Sequence, residues 1–442
     1  MSLLLCCSLS AGYSAAPAAL APNRSHTEFS HTEFSAALER ATSSAWQPLR
    51  DQLEAWKFTD DFAVTIGTAN AGRIFSYTHG DFTLHTRVET ASTSKWPSAM
   101  MLVGLVHDGT IRSLDARACE YLEWWTCDPR DQKSRVTLAH LLSFTSGFGG
   151  GAPGLAGKAR VRSAGKGGAL SAGKARALSA GKARALSDAP PDEASCLGSK
   201  TADFMHCAKT IYTSTERLEG EPGTVYSYNS NHLQLAGAVA VAASGLSIAQ
   251  VIDKYLLQPY AMHGSRCETP SAQNPMLAAC LTTTAADYER FLRATLGHAV
   301  LSRSLVAESE RDHTPFMAQQ YTLYGDYGFG HFLECFDSVD GYTERCKAAA
   351  VHCDPGAFGF YPLIDRRHGY YMQVVAYEHG DNYPRSGIPE YLRLLIKPIV
   401  DAIARGEDLS FAAGHHKPEL LGLSLADVNY IAGCYTDPKS CE

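Results

Sequence analysis

The sequence has no Cys-x-x-Cys pair and no His/Cys cluster at ligand spacing, so a zinc site has no sequence basis. After the first sixteen residues it has no apolar stretch long enough to span a bilayer. It also lacks an excess of positive charge: 39 basic residues stand against 46 acidic ones. Eight of the basic residues (Lys158, Arg160, Arg162, Lys166, Lys174, Arg176, Lys182 and Arg184) share one insert, and without them the balance falls from −7 to −15. An acidic body of this kind excludes nucleic acid as the expected main partner, and only the basic insert suits an anionic surface.

What is present is enough chain for a large core: 442 residues predict one or two closely packed lobes. Met1 to Ala16 carries a short apolar core (Leu3, Leu4, Leu5, Cys6, Cys7, Leu9) and a small-residue exit at Ser14-Ala15-Ala16. This predicts a secretory signal, though without the usual positive start, and hence a secreted or extracytoplasmic protein. Of the eleven cysteines beyond Cys7, ten fall into near neighbours along the chain. The pairs Cys119/Cys127, Cys196/Cys207, Cys267/Cys280, Cys335/Cys346 and Cys434/Cys441 read as small-loop disulfides, while Cys353 either competes for Cys335 or stays a thiol.

Residues 17–35 are polar and repeat His-Thr-Glu-Phe-Ser, which reads as a flexible lead-in. Ala36 to Trp56 has helical spacing, and Phe62–Gly67 and Arg73–Tyr77 read as two strands around Ala69-Asn70-Ala71-Gly72. Residues 149–195 contain eight-residue copies beginning at Ser163, Ser171 and Ser179, each with a single Leu, and cannot bury a core; a solvated, mobile basic insertion is expected. Further helices are expected after Thr137, stopped by Gly147, from Leu233, over Thr283 to Leu301 and over Pro389 to Ile403. His352 to Asp365 and Tyr370 to Tyr377 read as strands, and 406–442 as a C-terminal tail.

The chemistry centres on Ser92-Thr93-Ser94-Lys95, just where the apolar run Met100, Met101, Leu102, Val103, Leu105, Val106 begins. A helix opening near Ser92 sets Ser92 and Lys95 on one face, a nucleophile beside a base, with Ser94 facing elsewhere. For Lys95 to accept a proton near neutral pH, its pKa has to fall by about 2 to 3 units, which burial and a helix N-terminus favour. Ser163/Lys166, Ser171/Lys174 and Ser179/Lys182 have the same spacing but no apolar helix behind them. Downstream, Pro222-Gly223-Thr224-Val225-Tyr226-Ser227-Tyr228 leads into a buried helix and places Tyr228 on a short connection held by a rigid element.

In this order the motifs resemble the serine β-lactamase and penicillin-binding-protein superfamily, especially its class C-like branch with family VIII esterases and DD-peptidases. The resemblance covers roughly 36–405, with 149–195 interrupting it, and rests on Ser92-Thr93-Ser94-Lys95, Thr137 to Gly147, Pro222 to Tyr228 and the glycine-rich stretch after His352. It implies an α+β fold: an antiparallel sheet flanked by N- and C-terminal helices and packed on a mostly helical lobe. It makes Ser92 the acylated nucleophile, Lys95 its partner and Tyr228 the proton-shuttling phenol, with the N–H groups of Ser92 and of Gly356 or Ala357 as oxyanion donors.

Two departures concern substrate binding. The family's Tyr-x-Asn reads Tyr228-Asn229-Ser230 here, with Asn231 one place late. Its Lys-Thr-Gly or His-x-Gly is met by His352 with glycine only at Gly356. The expectation is a secreted serine hydrolase for small ester or peptide-like amide substrates, needing no cofactor or metal. The alternative is a catalytically silent scaffold or binding protein of the same fold.

Overall fold

Alternation along strand β1 (Phe62–Thr68) divides the molecule: Phe62, Val64 and Ile66 enter one apolar cluster and Ala63 the other. The same period of two recurs along β10 (Tyr370–Ala376), where Met372 and Val374 join the first cluster and Tyr371 and Val375 the second. Both strands are buried on both faces, so they lie at the centre of a layered structure rather than on its surface. The computed structural model describes residues 31–149, 196–316, 324–334, 350–379 and 388–407. The signal-like segment, the repeats, most of the basic insertion, the tail beyond 407 and the pairs Cys335/Cys346 and Cys434/Cys441 lie outside them.

Seven strands form one antiparallel sheet in the order β2-β1-β10-β9-β8-β7-β6. Besides β1 and β10 these are β2 (Gly72–His79), β6 (Tyr324–Tyr327), β7 (Phe332–Glu334), β8 (Val351–Cys353) and β9 (Phe360–Asp365). One face is covered by α1 (His31–Arg40), α2 (Gln47–Ala55) and α10 (Ile388–Ala404), the last packing on β9 and β10. The other face carries α8 (Ala285–Leu296), packed on β1, β9 and β10. Beyond it lies the helical lobe: α3 (Lys95–His107), α4 (Leu138–Leu142), α5 (Phe204–Ser214), α6 (Asn231–Ser244), α7 (Ile248–Ile252) and, near β6, α9 (Arg303–Glu310). A small sheet, β3 (Val88–Glu89), β5 (Leu281–Thr283) and β4 (Arg266–Cys267), joins the lobes. This is the α+β arrangement expected from the resemblance.

Helix α3 is apolar all round because it is buried all round. Met100, Met101, Leu102, Val103 and Leu105 are fully buried, each worth about 1.5–3 kcal/mol in transfer from water. Its first turn is therefore a rigid platform between the sheet and the helical lobe.

Four local readings need correction. The helical spacing over Ala36 to Trp56 is two helices, since Pro48 has no N–H to donate and occupies the first turn of α2. Helix α1 opens at His31, inside the stretch read as a flexible lead-in. The helix after Thr137 ends at Leu142, well before Gly147, because Phe144 takes a positive φ of 60°. The strand expected from His352 to Asp365 is two strands, joined by a turn in which the Gly356 N–H donates to the Phe360 carbonyl. Three of the expected disulfides are present, Cys119–Cys127, Cys196–Cys207 and Cys267–Cys280, and Cys353 is a buried thiol.

Candidate active site

A single 3₁₀ turn, Ala91–Ser94, carries the chain from the small sheet into α3, and its neighbours tie it down on each side. The Thr90 N–H and hydroxyl both donate to the Leu281 carbonyl, at 3.0 and 3.1 Å, and the Leu281 N–H donates to Ser94 Oγ at 2.9 Å. The Thr93 hydroxyl faces the Asp354 and Phe360 carbonyls at 2.9 and 3.0 Å. Thr90, Thr93, Ser94 and Lys95 are buried, and Ser92 alone of this group keeps partial exposure. Ser94 faces away from it, as the spacing predicts. Ala91, just before Ser92, sits at φ 48°, a costly conformation for a residue with a Cβ that the surrounding bonds enforce.

Lys95 Nζ lies 2.8 Å from Ser92 Oγ and donates to the Ala278 carbonyl at 3.0 Å. Burial lowers its pKa to about 8, against the opposing pull of the Asp354 carboxylate. The third member arrives from the other side. The Tyr228 ring lies 4.7 Å from Lys95 Nζ, with its phenol near enough to the Ser92 hydroxyl to interact with it. Tyr228 keeps 43% of its surface exposed, yet its inner end is desolvated; that, with the Asp354 charge, raises its pKa, while the nearby Ser92 hydroxyl lowers it.

The Tyr228 loop is held by backbone pairing with the loop after α4. Gly223 N–H donates to Thr145, Glu219 N–H to Gly147 and Ser227 N–H to the Phe144 carbonyl. His232 closes this bracket: Nδ1 lies 2.8 Å from Ser146 Oγ, Nε2 lies 2.8 Å from the Ser227 carbonyl, and the ring stacks on Phe144. Burial depresses its pKa to about 4, leaving a neutral, structural imidazole. The motif from Thr137 to Gly147 thus serves to position Tyr228.

Sequence-expected binding residues fare unevenly. Ser230 stands at the N-cap position of α6, two residues after Tyr228, without a side-chain capping bond, and is half-buried. Asn231 is buried and turned away, its amide donating to the Gly149 carbonyl at 2.9 Å. Asn229 is likewise used within the loop, bonding Phe148 and Ser227. His352 does not supply the polar edge expected of it: it is buried, with Nδ1 3.3 Å from His331 Nε2 and Nε2 3.8 Å from Glu310. Burial holds both imidazoles at a pKa of about 3.

The residue that sequence reading missed is Asp354, fully buried, with Oδ2 accepting the Trp96 N–H at 2.9 Å. Asp354-Pro355-Gly356 has the polar-x-Gly spacing that the resemblance asks for, which His352 lacks. Gly356 is packed so tightly that a Cβ there would lie 2.3 Å from both the Thr90 carbonyl and Thr93 Oγ1, while Ala357 next to it is exposed. The Ser92 N–H precedes the first 3₁₀ donor, Thr93, and has no partner within its own turn.

Among the described residues one further group has a ligand-like shape: Asp365, His368 and Asp401, with donor atoms within 4.8 Å of one another. Lys397 Nζ already fills it, 2.7 Å from Asp365 and 2.8 Å from Asp401, so it reads as an ion-pair network.

The family model described as beta-lactamase matches residues 63–377, more than half of the chain, and spans the Ser92 turn, the Tyr228 loop and the Asp354 hairpin. Among solved structures, a beta-lactamase candidate from Bacteroides dorei is 23% identical, covers 80% of this chain and 99% of its own, and has a TM-score of 0.56. EstCE1, a hydrolase with promiscuous acyltransferase activity, is 14% identical over 85% of this chain and 99% of its own, with a TM-score of 0.53. A penicillin-binding protein from Bacillus halodurans is 16% identical over 78% and 98%, with a TM-score of 0.50. At these identities the likeness concerns the fold. No curated protein matches the sequence. The family model and the shared fold agree, and the chain belongs to the beta-lactamase family.

Proposed function

We propose that the protein is a serine hydrolase that forms an acyl-enzyme at Ser92 on small esters or peptide-like amides. The observation that carries this is Lys95 Nζ at 2.8 Å from the partly exposed Ser92 hydroxyl, with the Tyr228 ring 4.7 Å from the same amine. With Lys95 neutral, the Ser92 proton passes to the amine as Oγ attacks the carbonyl carbon. The N–H groups of Ser92 and Ala357 face the oxygen on which charge develops, a contribution of about 3–4 kcal/mol per donor in such sites. Collapse returns a proton to the leaving alcohol or amine through Lys95 or Tyr228, and water then releases the acyl group along the same route. The three disulfides support an extracytoplasmic location.

A fluorophosphonate probe tests the reading. Labelling of the wild type that is lost in Ser92→Ala supports it; equal labelling of both contradicts it by placing the reactive group elsewhere, and no labelling of folded wild type contradicts it in favour of a silent scaffold.

A further inference from the structure

We propose that Asp354 is a positioning residue for Lys95: a buried carboxylate, fixed to the first turn of α3, that supplies the counter-charge when the lysine takes the Ser92 proton. The inference rests on the reading of Ser92 and Lys95 given above and extends it to a residue that touches neither substrate nor nucleophile.

Three observations place the carboxylate there. Its Oδ2 accepts the N–H of Trp96, the residue next to Lys95, at 2.9 Å, where the helix N-terminus favours negative charge. Its backbone cannot drift, because the Thr93 hydroxyl donates to the Asp354 carbonyl and Gly356 is wedged against Thr90 and Thr93. Its other oxygen, Oδ1, is buried and has no hydrogen-bond partner, so half of the carboxylate is left to act through space.

The groups that face it come from every side. Lys95 is the cation on α3; Tyr226 and Tyr228 face it from the loop before α6, Tyr327 from β6, Tyr288 from α8 and Cys353 from its own strand. Burial and the Asp354 charge raise the pKa of each of these tyrosines, and those of Cys353 shift the same way, so these groups stay neutral through the working range. Lys95 is thus the cation this carboxylate answers. When Ser92 loses its proton the lysine gains it, and a buried lysinium and an oxyanion form together. The lysinium is costly to hold without a counter-charge. Burial lowers the Lys95 pKa and pushes the Asp354 carboxyl well above the usual carboxylate range, and each charge opposes the other's shift, so the lysinium and the carboxylate are held as a pair.

The test is the pH dependence of p-nitrophenyl acetate hydrolysis by the full chain, for the wild type, Asp354→Asn, Asp354→Ser and Ser92→Ala, with folding checked by near-ultraviolet circular dichroism. Loss of the carboxylate makes the lysine less basic. The acid limb therefore moves down by about one pH unit and the plateau kcat falls, with KM unchanged. A limb that stays in place in a folded neutral variant overturns the proposal while leaving Ser92 as nucleophile. Activity retained in Ser92→Ala overturns both. Should neither neutral variant fold, infrared difference spectra of wild type labelled with ¹³C-aspartate decide: an ionised buried carboxylate above the acid limb supports the proposal, and a carboxyl still protonated there overturns it.

Discussion

Lys95 Nζ and Ser92 Oγ stand 2.8 Å apart at the start of a helix buried from Lys95 to Leu105, and the lysine is the more deeply buried of the two. Its charge state therefore controls the reaction. Below a pKa of about 8 the amine is protonated and cannot take the Ser92 proton, so ester hydrolysis should fall tenfold per pH unit on the acid side. The same burial opposes stability. The folded protein carries the cost of a buried ammonium below the folded pKa and sheds it as pH rises from about 8 toward the ordinary lysine value. Lys95→Met is expected to abolish turnover and raise Tm at neutral pH; a Tm that falls by several degrees contradicts this.

Tyr228→Phe removes only the hydroxyl that meets Ser92. The ring still stacks on Phe332 and lies beside Lys95. The expected loss is about 10²-fold or more in kcat/KM with Tm unchanged, measured by steady-state kinetics and thermal melts.

Gly356→Ala tests the clamp between the hairpin and the nucleophile turn. A Cβ at 2.3 Å from the Thr90 carbonyl and Thr93 Oγ1 has to displace the turn that carries Ser92. Activity should drop by about 10²-fold, as small misplacements in catalytic geometry do, and Tm should fall with it.

Lys397→Met addresses the opposite side of the sheet. Lys397 pairs with Asp365 and Asp401, and all three are wholly or largely buried. Removing the lysine leaves uncompensated buried carboxylates and should cost about 3–5 kcal/mol of stability in chemical denaturation. Burial pushes the Asp365 pKa up, but Lys397 and His368 together hold it below the usual carboxylate range. Its contribution is therefore complete above the unfolded carboxyl pKa and is lost as pH falls through the folded one. In Lys397→Met, where only His368 still lowers the Asp365 pKa, that acid-side loss should shrink, while the acid limb of catalysis stays in place.

Where an element's cause is local, the sequence displayed it. The apolar run after Lys95, the alternation in β1 and β10, and the Thr137 cap each rest on neighbouring residues, and each was legible. Ser92, Lys95 and Tyr228 were legible because two of them share one turn and the third precedes a buried helix. Asp354 was not, since Asp-Pro-Gly reads as an ordinary turn until the hairpin folds onto α3 and its carboxylate meets Trp96. His352 misled for the same reason: strand alternation turns it toward His331, two residues short of the position that meets the helix. The break between α1 and α2 was visible in Pro48, but the apolar spacing ran across it.

Intact-mass spectrometry of the purified chain after brief exposure to a short p-nitrophenyl ester and, separately, to a penicillin bears on whether Ser92 is an acylated nucleophile. A single acyl adduct on the wild type from at least one reagent, mapped to Ser92 and missing from folded Ser92→Ala, is the predicted result. No adduct from either reagent on folded wild type, or the same adduct on Ser92→Ala, contradicts it.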